Sequence, residues 1–388
     1  MRRELLGLHV PTVVDGIELQ ALIPSELPPE PELYFNGHLQ QLVERAVLAL
    51  GRLDAVTTLL PNQALFVYSY VRKEAVLSSQ IEGTQSSLSD LMLFEADQAP
   101  GVPVDDVTEV SNYVRALEYG IRRVHEGHPI SCALICEIHA ILLSSGRGHL
   151  KDPGQFRQGQ VWVGGLDPRT AVFMPPPPSY VPGCMEDFEQ FVVSDRLDLT
   201  ALVRAAVAHV QFETIHPFND GNGRVGRLLI ALMLCQARVL RQPLLYLSLY
   251  LKQNRAQYYA LLNHLRDTGD WESWLAFFLE GVELTASGAV STAERLYGRF
   301  QEHVHLIQRE TGRRAGSVLR LYEAVKQRPI LPLGLARDMC GLTFRTTSTA
   351  MDVLVELGIV HELTGKKRNR FYAYKDYIAI INEGTETS

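Results

Sequence analysis

The sequence predicts a mainly α-helical protein with one β-hairpin near its middle and a winged helix-turn-helix domain at its C-terminus. Three observations support this fold class. Apolar residues recur at three-and-four spacing through much of the first 240 residues. A Pro- and Gly-rich stretch at 148–182 contains the alternation typical of strands. After Ser317, three short helical patterns precede two short strand patterns, the order of elements in a winged helix.

Size and composition indicate a globular protein with two or three domains. The chain has 388 residues, of which 46% are hydrophobic and 21% charged. Its longest purely apolar run, 228–235, is far shorter than the ~20 residues of a membrane-spanning helix, and the first residues lack a secretory signal. The five cysteines form no C-x-x-C pair. We therefore expect free thiols, a cytoplasmic location and no membrane partner.

Five segments have the apolar spacing of amphipathic helices, and a Pro/Gly-rich break at 99–103 separates the first from the others. The segments are 64–82, 107–124, 131–143, 199–212 and 224–240. This organisation predicts an N-terminal helical region over 1–98, a central domain over 99–290 and a C-terminal domain over 315–388.

The stretch 148–182 contains the strongest strand signal outside the C-terminal domain. Residues 161–165 (VWVGG) and 171–174 (AVFM) lie on either side of a short loop, and a run of four prolines follows. This spacing predicts a β-hairpin over 161–174.

The C-terminal domain is basic although the whole chain has a net charge of −7. Between residues 313 and 375 there are 12 lysines and arginines against 5 acidic residues. Helical patterns at 318–327, 333–339 and 344–357 precede two strands around the turn TGKKRN. A wing with Lys366, Lys367, Arg368 and Arg370, and a third helix that begins RTTST at 345–349, would suit DNA. Winged helices also bind proteins or form dimers, so both alternatives stay open.

The most informative stretch is HPFNDGNGRVGR at 216–227. Its glycines at 221, 223 and 226 spell G-x-G-x-x-G, the dinucleotide fingerprint, which requires a preceding strand and an acidic residue about 20 positions later. The preceding residues have helical spacing instead, and no Asp or Glu occurs between Asp220 and Asp267. No Lys-Ser/Thr pair follows the glycines either. Both the Rossmann and the P-loop interpretations are therefore excluded.

The same stretch is typical of an anion-binding loop that runs into a helix. Small residues let backbone N–H groups approach a phosphate, and the helix dipole adds to the attraction. Arg224 and Arg227 are three residues apart, so both project over one side of the first turn and suit two successive phosphates. Asp220 is placed to hold a divalent cation with those phosphates. His216 can accept a proton from a nucleophile near neutral pH.

The stretch resembles the Fic motif, H-P-F-x-D-G-N-G-R-x-x-R, and matches it at every defined position. The resemblance implies that His216 is the general base for a Tyr, Thr or Ser hydroxyl of a target protein. It implies that Asp220 binds Mg²⁺ and that AMP is transferred from ATP while pyrophosphate leaves. Outside this context a histidine before proline is usually structural, and His209 is predicted to be a packed histidine. The motif positions expected to contact the nucleotide are Gly221, Asn222, Gly223, Arg224, Val225, Gly226 and Arg227.

A second pattern, Ser78-x-x-x-Glu82-Gly83, resembles the inhibitory motif of Fic proteins. Glu82 is expected in the last turn of its helix, before Gly83 as a left-handed cap. The resemblance implies that Glu82 pairs with Arg227 and so withholds this arginine from the ATP γ-phosphate. A solvated surface glutamate is the alternative.

Two more regions agree with a Fic core. By resemblance, the predicted hairpin with Val161, Trp162, Val163 and Gly164 is the flap that aligns a target segment by β-augmentation, although a plain surface hairpin would have the same pattern. Tyr258 is expected at the adenine, although aromatic residues on a helix more often pack in a core.

The sequence therefore favours a self-inhibited protein adenylyltransferase that uses ATP and Mg²⁺. Its partner would be a protein target, including the enzyme itself, and homodimer formation stays open. Two alternatives remain: a DNA-binding regulator with a subordinate Fic domain, and an enzyme that removes AMP with Glu82 positioning a water.

Overall fold

The computed structural model describes residues 6–59, 63–96, 103–194, 199–365 and 370–385. The elements before residue 312 are β1 (Gly7–Val14), β2 (Ile17–Pro24), α1 (Gly37–Leu59), α2 (Gln63–Ile81), α3 (Leu88–Glu95), α4 (Val104–His125), α5 (Cys132–Leu142), α6 (Val181–Val193), α7 (Ala201–Ile215), α8 (Asn222–Gln236), α9 (Ser248–Gln253), α10 (Arg255–Thr268) and α11 (Trp271–Thr311). The later elements are α12 (Ala315–Gln327), β3 (Ile330–Pro332), α13 (Leu333–Cys340), α14 (Phe344–Glu356), β4 (Val360–Glu362), β5 (Phe371–Tyr374) and α15 (Lys375–Asn382).

The five predicted helices are confirmed as α2, α4, α5, α7 and α8. Helices α7 and α8 pack against each other, and α4 and α5 both contact α8. Nearly all residues of α8 up to Cys235 are buried, which makes α8 the central helix of the core. The loop between α7 and α8 carries the HPFNDG part of the motif, so its position is fixed by two buried helices.

The N-terminal β-hairpin is not predicted by the sequence pattern. Strands β1 and β2 pair antiparallel around a two-residue turn at Asp15 and Gly16, which have positive φ angles of 50° and 76°. Asp-Gly is a preferred dipeptide for such a turn, so this pair was the sequence signal from which the hairpin could have been predicted. The hairpin joins the central domain where the Leu22 N–H donates to the Met174 carbonyl at 3.0 Å.

The predicted strands at 161–165 and 171–174 are wrong. One isolated bridge pairs Val163 with Phe173, and a short 3₁₀ turn (Pro168–Thr170) lies between them. Gly164 and Gly165 both have positive φ angles, 71° and 75°, so the backbone leaves the extended conformation directly after Val163. Residues 161–174, which we call the flap, therefore form a loop closed by a single bridge.

Helix α11 is 41 residues long and passes through the predicted domain boundary at residue 290. It packs along α1 and also contacts α12 and α15. The central and C-terminal regions are thus joined by one continuous helix.

The C-terminal region has the predicted three helices and hairpin, together with two elements that were not predicted, β3 and α15. Its strands form an antiparallel sheet in the order β3-β5-β4. Most of the predicted basic turn, residues 366–369, lies outside the described residues. The segment after β5 returns to α2: Lys73 Nζ donates to the Glu383 carbonyl at 2.8 Å and Gln80 Nε2 to the Thr385 carbonyl at 2.9 Å.

All five cysteines are free, as expected. Within the described ranges, no helix combines the length and the apolar character that crossing a bilayer would require.

Candidate active site

The motif loop is closed by the side chain of Asn222. Its Oδ1 accepts from the Phe218 N–H at 2.9 Å and its Nδ2 donates to the Phe218 carbonyl at 2.8 Å. Gly221 precedes α8 with a φ of 78°, a left-handed conformation that favours glycine. The first N–H groups of α8 have no acceptor within the helix, so they are available to an anion. Asn222 therefore shapes the loop, and its side chain is not free to bind phosphate.

A buried histidine, His139 of α5, supports this loop and was missed by the sequence analysis. Its ring stacks on Phe218 with centroids 3.7 Å apart. Nδ1 accepts from the Gly154 N–H at 2.8 Å, so Nε2 carries the proton that it donates to the Asp220 carbonyl at 3.0 Å. Burial lowers the pKa of His139 to about 4 and keeps the ring neutral. Nothing in the sequence of α5, which also carries Glu137, distinguishes His139 from an ordinary helix position.

His216 ends α7 in a left-handed conformation, with φ 49° and ψ 60°. Its Nδ1 is buried and has no hydrogen-bond partner among the described residues. Burial, followed by the positive charges of Arg266 and Arg157, lowers the pKa of His216 to about 4. The imidazole is therefore neutral at physiological pH and free to accept a proton.

Asp220 presents a carboxylate with 40% of its side chain exposed at the start of the loop. Its Oδ1 accepts from the Gly221 N–H at 2.6 Å and lies 3.4 Å from Arg224 Nη2. In the part of the chain that the structure describes, no three His, Cys, Asp or Glu side chains gather around a metal site. One exposed carboxylate fits Mg²⁺, which takes one or two protein carboxylates and completes its shell with water and substrate phosphates.

Arg224 is buried and already paired. Its Nη1 lies 3.1 Å from Glu109 Oε2 of α4, and the same glutamate accepts from Arg147 Nε at 2.5 Å. Only 5% of each side chain of the Arg224–Glu109 pair is exposed. Glu109 was missed by the sequence analysis, because nothing in the pattern of α4 distinguishes it from the other buried positions.

Arg227 is held by the end of α2, as the inhibitory pattern predicts. Its Nη2 lies 2.6 Å from Glu82 Oε1 and 3.0 Å from the Ser78 carbonyl, and its Nε donates to Ser78 Oγ at 2.9 Å. Gly83 has the expected positive φ, 98°, although α2 ends at Ile81 and Glu82 lies in the turn beyond it. Burial of Glu82 opposes its ionisation, but the charge and hydrogen bond of Arg227 outweigh burial and lower the pKa of Glu82.

Gly223 makes room for this ion pair. A Cβ at residue 223 would lie 2.4 Å from Glu82 Oε1 and 3.1 Å from Arg227 Nη1, so any larger residue would displace the carboxylate. On another side of α8, Gly226 faces Glu213 of α7, where a Cβ would lie 2.5 Å from Oε1. Val225 is fully buried in the core, so only its backbone can face a ligand.

Tyr258 lies in the core of this conformation, only 1% exposed, and its hydroxyl is 2.9 Å from Nε2 of the buried His209. Both rings pack against Trp274. His209 is thus the packed histidine that was predicted, whereas an adenine contact of Tyr258 stays a prediction.

The flap residues Val161, Trp162 and Val163 are half-buried, and Gly164 is exposed. Val163 pairs with the other side of the flap: its N–H donates to the Phe173 carbonyl at 2.9 Å, and its carbonyl accepts from the Val172 and Phe173 N–H groups at 2.9 and 3.1 Å. Their role toward a target segment stays a prediction.

The fold and the site define a helical protein in which a neutral histidine precedes the anion-binding end of a buried helix. Residues 40–122 match the Fic/DOC family N-terminal model, and residues 129–234 match the Fic/DOC family model. The chain therefore contains both domains of the Fic/DOC family.

Curated relatives and solved structures agree with this assignment. The chain is 31% identical over 259 residues to "Protein adenylyltransferase Fic" of Drosophila grimshawi, covering 64% of this chain and 49% of that one. The protein of the same name from Aedes aegypti is 33% identical over 212 residues, or 53% of this chain and 39% of the relative. The chain thus spans about half the length, or less, of these relatives.

The fold is shared with a Fic family protein from Desulfovibrio desulfuricans G20, at a TM-score of 0.59 and 20% identity, over 89% of this chain and 98% of that one. It is also shared with a Fic domain containing signaling protein from Bacteroides thetaiotaomicron VPI-5482, at a TM-score of 0.50 and 17% identity, over 66% of this chain and 95% of that one.

Proposed function

We propose that this protein transfers AMP from ATP to a hydroxyl group of a protein, and that Glu82 holds this activity back. The observation that carries the proposal is the position of His216. It is a neutral imidazole, fixed at the end of α7, on the loop that leads into the anion-binding first turn of α8. Relatives named protein adenylyltransferase support the same chemistry.

The reaction follows from the chemistry of these groups. His216 takes the proton of a Ser, Thr or Tyr hydroxyl, and the freed oxygen attacks the α-phosphorus of ATP. The bond between the α- and β-phosphates breaks as the new P–O bond forms, and pyrophosphate leaves. The first N–H groups of α8 and the charge of Arg227 bind the phosphates, so catalysis rests on alignment and on neutralisation of charge. Mg²⁺, held by Asp220 together with the phosphates, would supply further neutralisation.

Inhibition follows from the contacts of Arg227. In the part of the chain that the structure describes, its guanidinium has three acceptors, two on Ser78 at the end of α2 and one on Glu82 in the turn that follows. With Nε and Nη2 bound in this way, the edge of the guanidinium that they form is occupied, so ATP would bind without the γ-phosphate contact that aligns its α-phosphate.

The test is intact-mass spectrometry of the protein incubated with ATP and Mg²⁺. We expect Glu82→Gly to gain the mass of AMP and the Glu82→Gly, His216→Ala double variant to gain none, while binding ATP with similar affinity. The similar affinity follows because the base acts on the nucleophile and not on the phosphates. Transfer at an equal rate in both variants would contradict the role of His216, and no transfer in a folded Glu82→Gly protein would contradict the function.

A second function, DNA binding, is favoured by the C-terminal region. The order α12-β3-α13-α14-β4-β5 supports the winged-helix interpretation, and the start of α14 exposes Phe344, Arg345 and Thr349. A mobility shift of the full chain on duplex DNA that weakens steeply as salt rises would support it. No shift at low salt would leave this region as a protein-binding module.

A further inference from the structure

Arg157 joins the base of the flap to the catalytic loop. It is 1% exposed, and among the described residues its guanidinium donates only to backbone carbonyls. Nε donates to the His216 carbonyl at 2.8 Å, and Nη2 to the Ile215 carbonyl at 3.4 Å. In addition, the Arg157 N–H donates to the Pro217 carbonyl at 2.9 Å. One residue thus contacts the backbone of three successive positions at the end of α7.

The same guanidinium also holds the chain on both sides of the flap. Nη1 donates to the Gly159 carbonyl at 3.2 Å, just before the flap, and Nη2 to the Pro176 carbonyl at 2.6 Å, just after it. Within the described ranges no carboxylate pairs with Arg157. Burying an arginine without a counter-ion costs free energy, so the hydrogen bonds to these carbonyls must offset the lost hydration of its charge.

These carbonyls need a partner. The last carbonyls of a helix accept no hydrogen bond from an N–H group of the same helix, and they lie at the negative end of the helix dipole. His216 also adopts a left-handed conformation that costs a non-glycine residue about 1 kcal/mol or more. The hydrogen bond from Arg157 Nε to the His216 carbonyl stabilises that conformation.

The charges that face His216 come from several elements. Arg157 at the flap base and Arg266 of α10 are positive, and Glu82 at the end of α2 is negative. Arg266 donates to the Glu213 carbonyl at 3.1 Å and lies 3.9 Å from the centre of the Phe173 ring. A hydrogen bond to the backbone of Glu213 raises the pKa of His216 and so opposes the effect of the two arginines. Burial raises the pKa of the Glu213 carboxyl itself to about 7.

We propose that Arg157 is a positioning residue that ties the backbone of His216 to both ends of the flap, so that the base and a target segment on the flap keep one alignment. The inference rests on the proposed function. It assigns a role to a residue outside the Fic motif, which acts through His216 and contacts neither ATP nor the target protein.

The test compares Arg157→Lys and Arg157→Met, each made in the Glu82→Gly protein, with Arg52→Met as the control. Arg52 is an exposed arginine of α1, outside the flap and the motif loop. We expect both Arg157 variants to lower kcat about tenfold or more while KM for ATP stays unchanged. The factor follows because the loss of one hydrogen bond from a charged group, expressed in the transition state, slows a reaction by about that much. Arg52→Met should match the parent.

The pH profile separates positioning from folding. In the parent, His216 should lose its proton near pH 4, as its lowered pKa requires, so the rate should be level above about pH 5. Arg157→Met removes a positive charge, so the pKa of His216 should rise and the acid limb should move to higher pH. Arg157→Lys keeps the charge, so the acid limb of its pH–rate profile should stay where it is in the parent, although kcat is lower.

An NMR titration of the His216 imidazole measures the same pKa shift and does not depend on catalysis. If Glu82→Gly protein transfers no AMP, the proposed function fails, and this titration still tests Arg157. An unchanged His216 titration in Arg157→Met, or an unchanged kcat in both variants, would overturn the inference. If Arg157→Met does not fold, Arg157→Lys decides: parental kcat overturns the proposal, and reduced kcat at unchanged KM supports it.

Discussion

The two arginines of α8 look alike in the sequence but differ in the carboxylates that hold them. Arg224 pairs with Glu109 in the middle of α4, whereas Arg227 pairs with Glu82 just beyond the end of α2. Both arginines are buried. The difference lies in the glutamates, because 5% of the Glu109 side chain is exposed and 36% of the Glu82 side chain.

This difference indicates which ion pair can open. Glu109 is fixed within a buried helix and is shared with Arg147, so removing it would leave a charge in the core. Glu82 stands in a turn before Gly83, beyond the end of α2, and 36% of its side chain is exposed, so we infer that it can leave Arg227 for solvent. The first pair therefore supports the fold of the site, and the second is the pair that we propose as the regulatory one.

The largest effect should follow from breaking the fixed pair. We expect Glu109→Gln to lower the free energy of unfolding by about 3 kcal/mol, since it leaves Arg224 buried with only the weaker Asp220 contact. Thermal unfolding followed by circular dichroism measures this, with Glu118→Gln, an exposed glutamate on the same helix, as the control. A Glu109→Gln protein as stable as the control would show that this pair is not structural.

A smaller effect should follow from weakening the regulatory pair. Ser78→Ala removes the hydroxyl that accepts from Arg227 Nε, a loss of ~1 kcal/mol or about fivefold in rate. We expect AMP transfer to rise by that factor. Ser79→Ala is the matched control, because Ser79 is equally buried and its hydroxyl has no hydrogen-bond partner in the described ranges. Equal activation by both variants would place the effect in α2 as a whole.

The smallest effect should be that of pH on the regulatory pair. The pKa of Glu82 is lowered, so the stabilisation by Arg227 is present above the ordinary carboxyl pKa and is lost only as pH falls through the lower value in the folded protein. The ratio of Glu82→Gly to wild-type activity should therefore stay constant between about pH 5.5 and 7.5. A ratio that falls toward one at the acid end would show that Glu82 protonates in this range.

The sequence predicted the parts of the site that lie close together in the chain. The spacing of residues 216–227 predicted a loop that runs into a helix, and the structure has His216 at the end of α7 and both arginines in the first two turns of α8. Their roles toward ATP stay predictions. The Ser78 and Glu82 pattern also led to the correct contact across the fold. This contact was found by resemblance to a known motif, since nothing local in α2 indicates what its end touches.

The contributions of Glu109, His139 and Arg157 could not be predicted in the same way. Each is a polar residue whose partners are distant in sequence, and each resembles an ordinary helix or loop position when read alone. The hairpin at 161–174 was predicted from alternation, but two left-handed glycines override that pattern. Backbone conformation at a few residues thus decided the local structure there.

The central claim is that Glu82 inhibits by occupying Arg227, and labelled-ATP self-modification of four proteins at equal concentration tests it most directly. The proteins are wild type, Glu82→Gly, Arg227→Ala and the double variant. We expect Glu82→Gly alone to exceed wild type, by ~10- to 100-fold, the worth of one charge-assisted contact. Arg227→Ala and the double variant should both stay low, because the γ-phosphate contact is gone in each. Equal activation of Glu82→Gly and Arg227→Ala would contradict the account, since it would show that Arg227 does not serve the nucleotide.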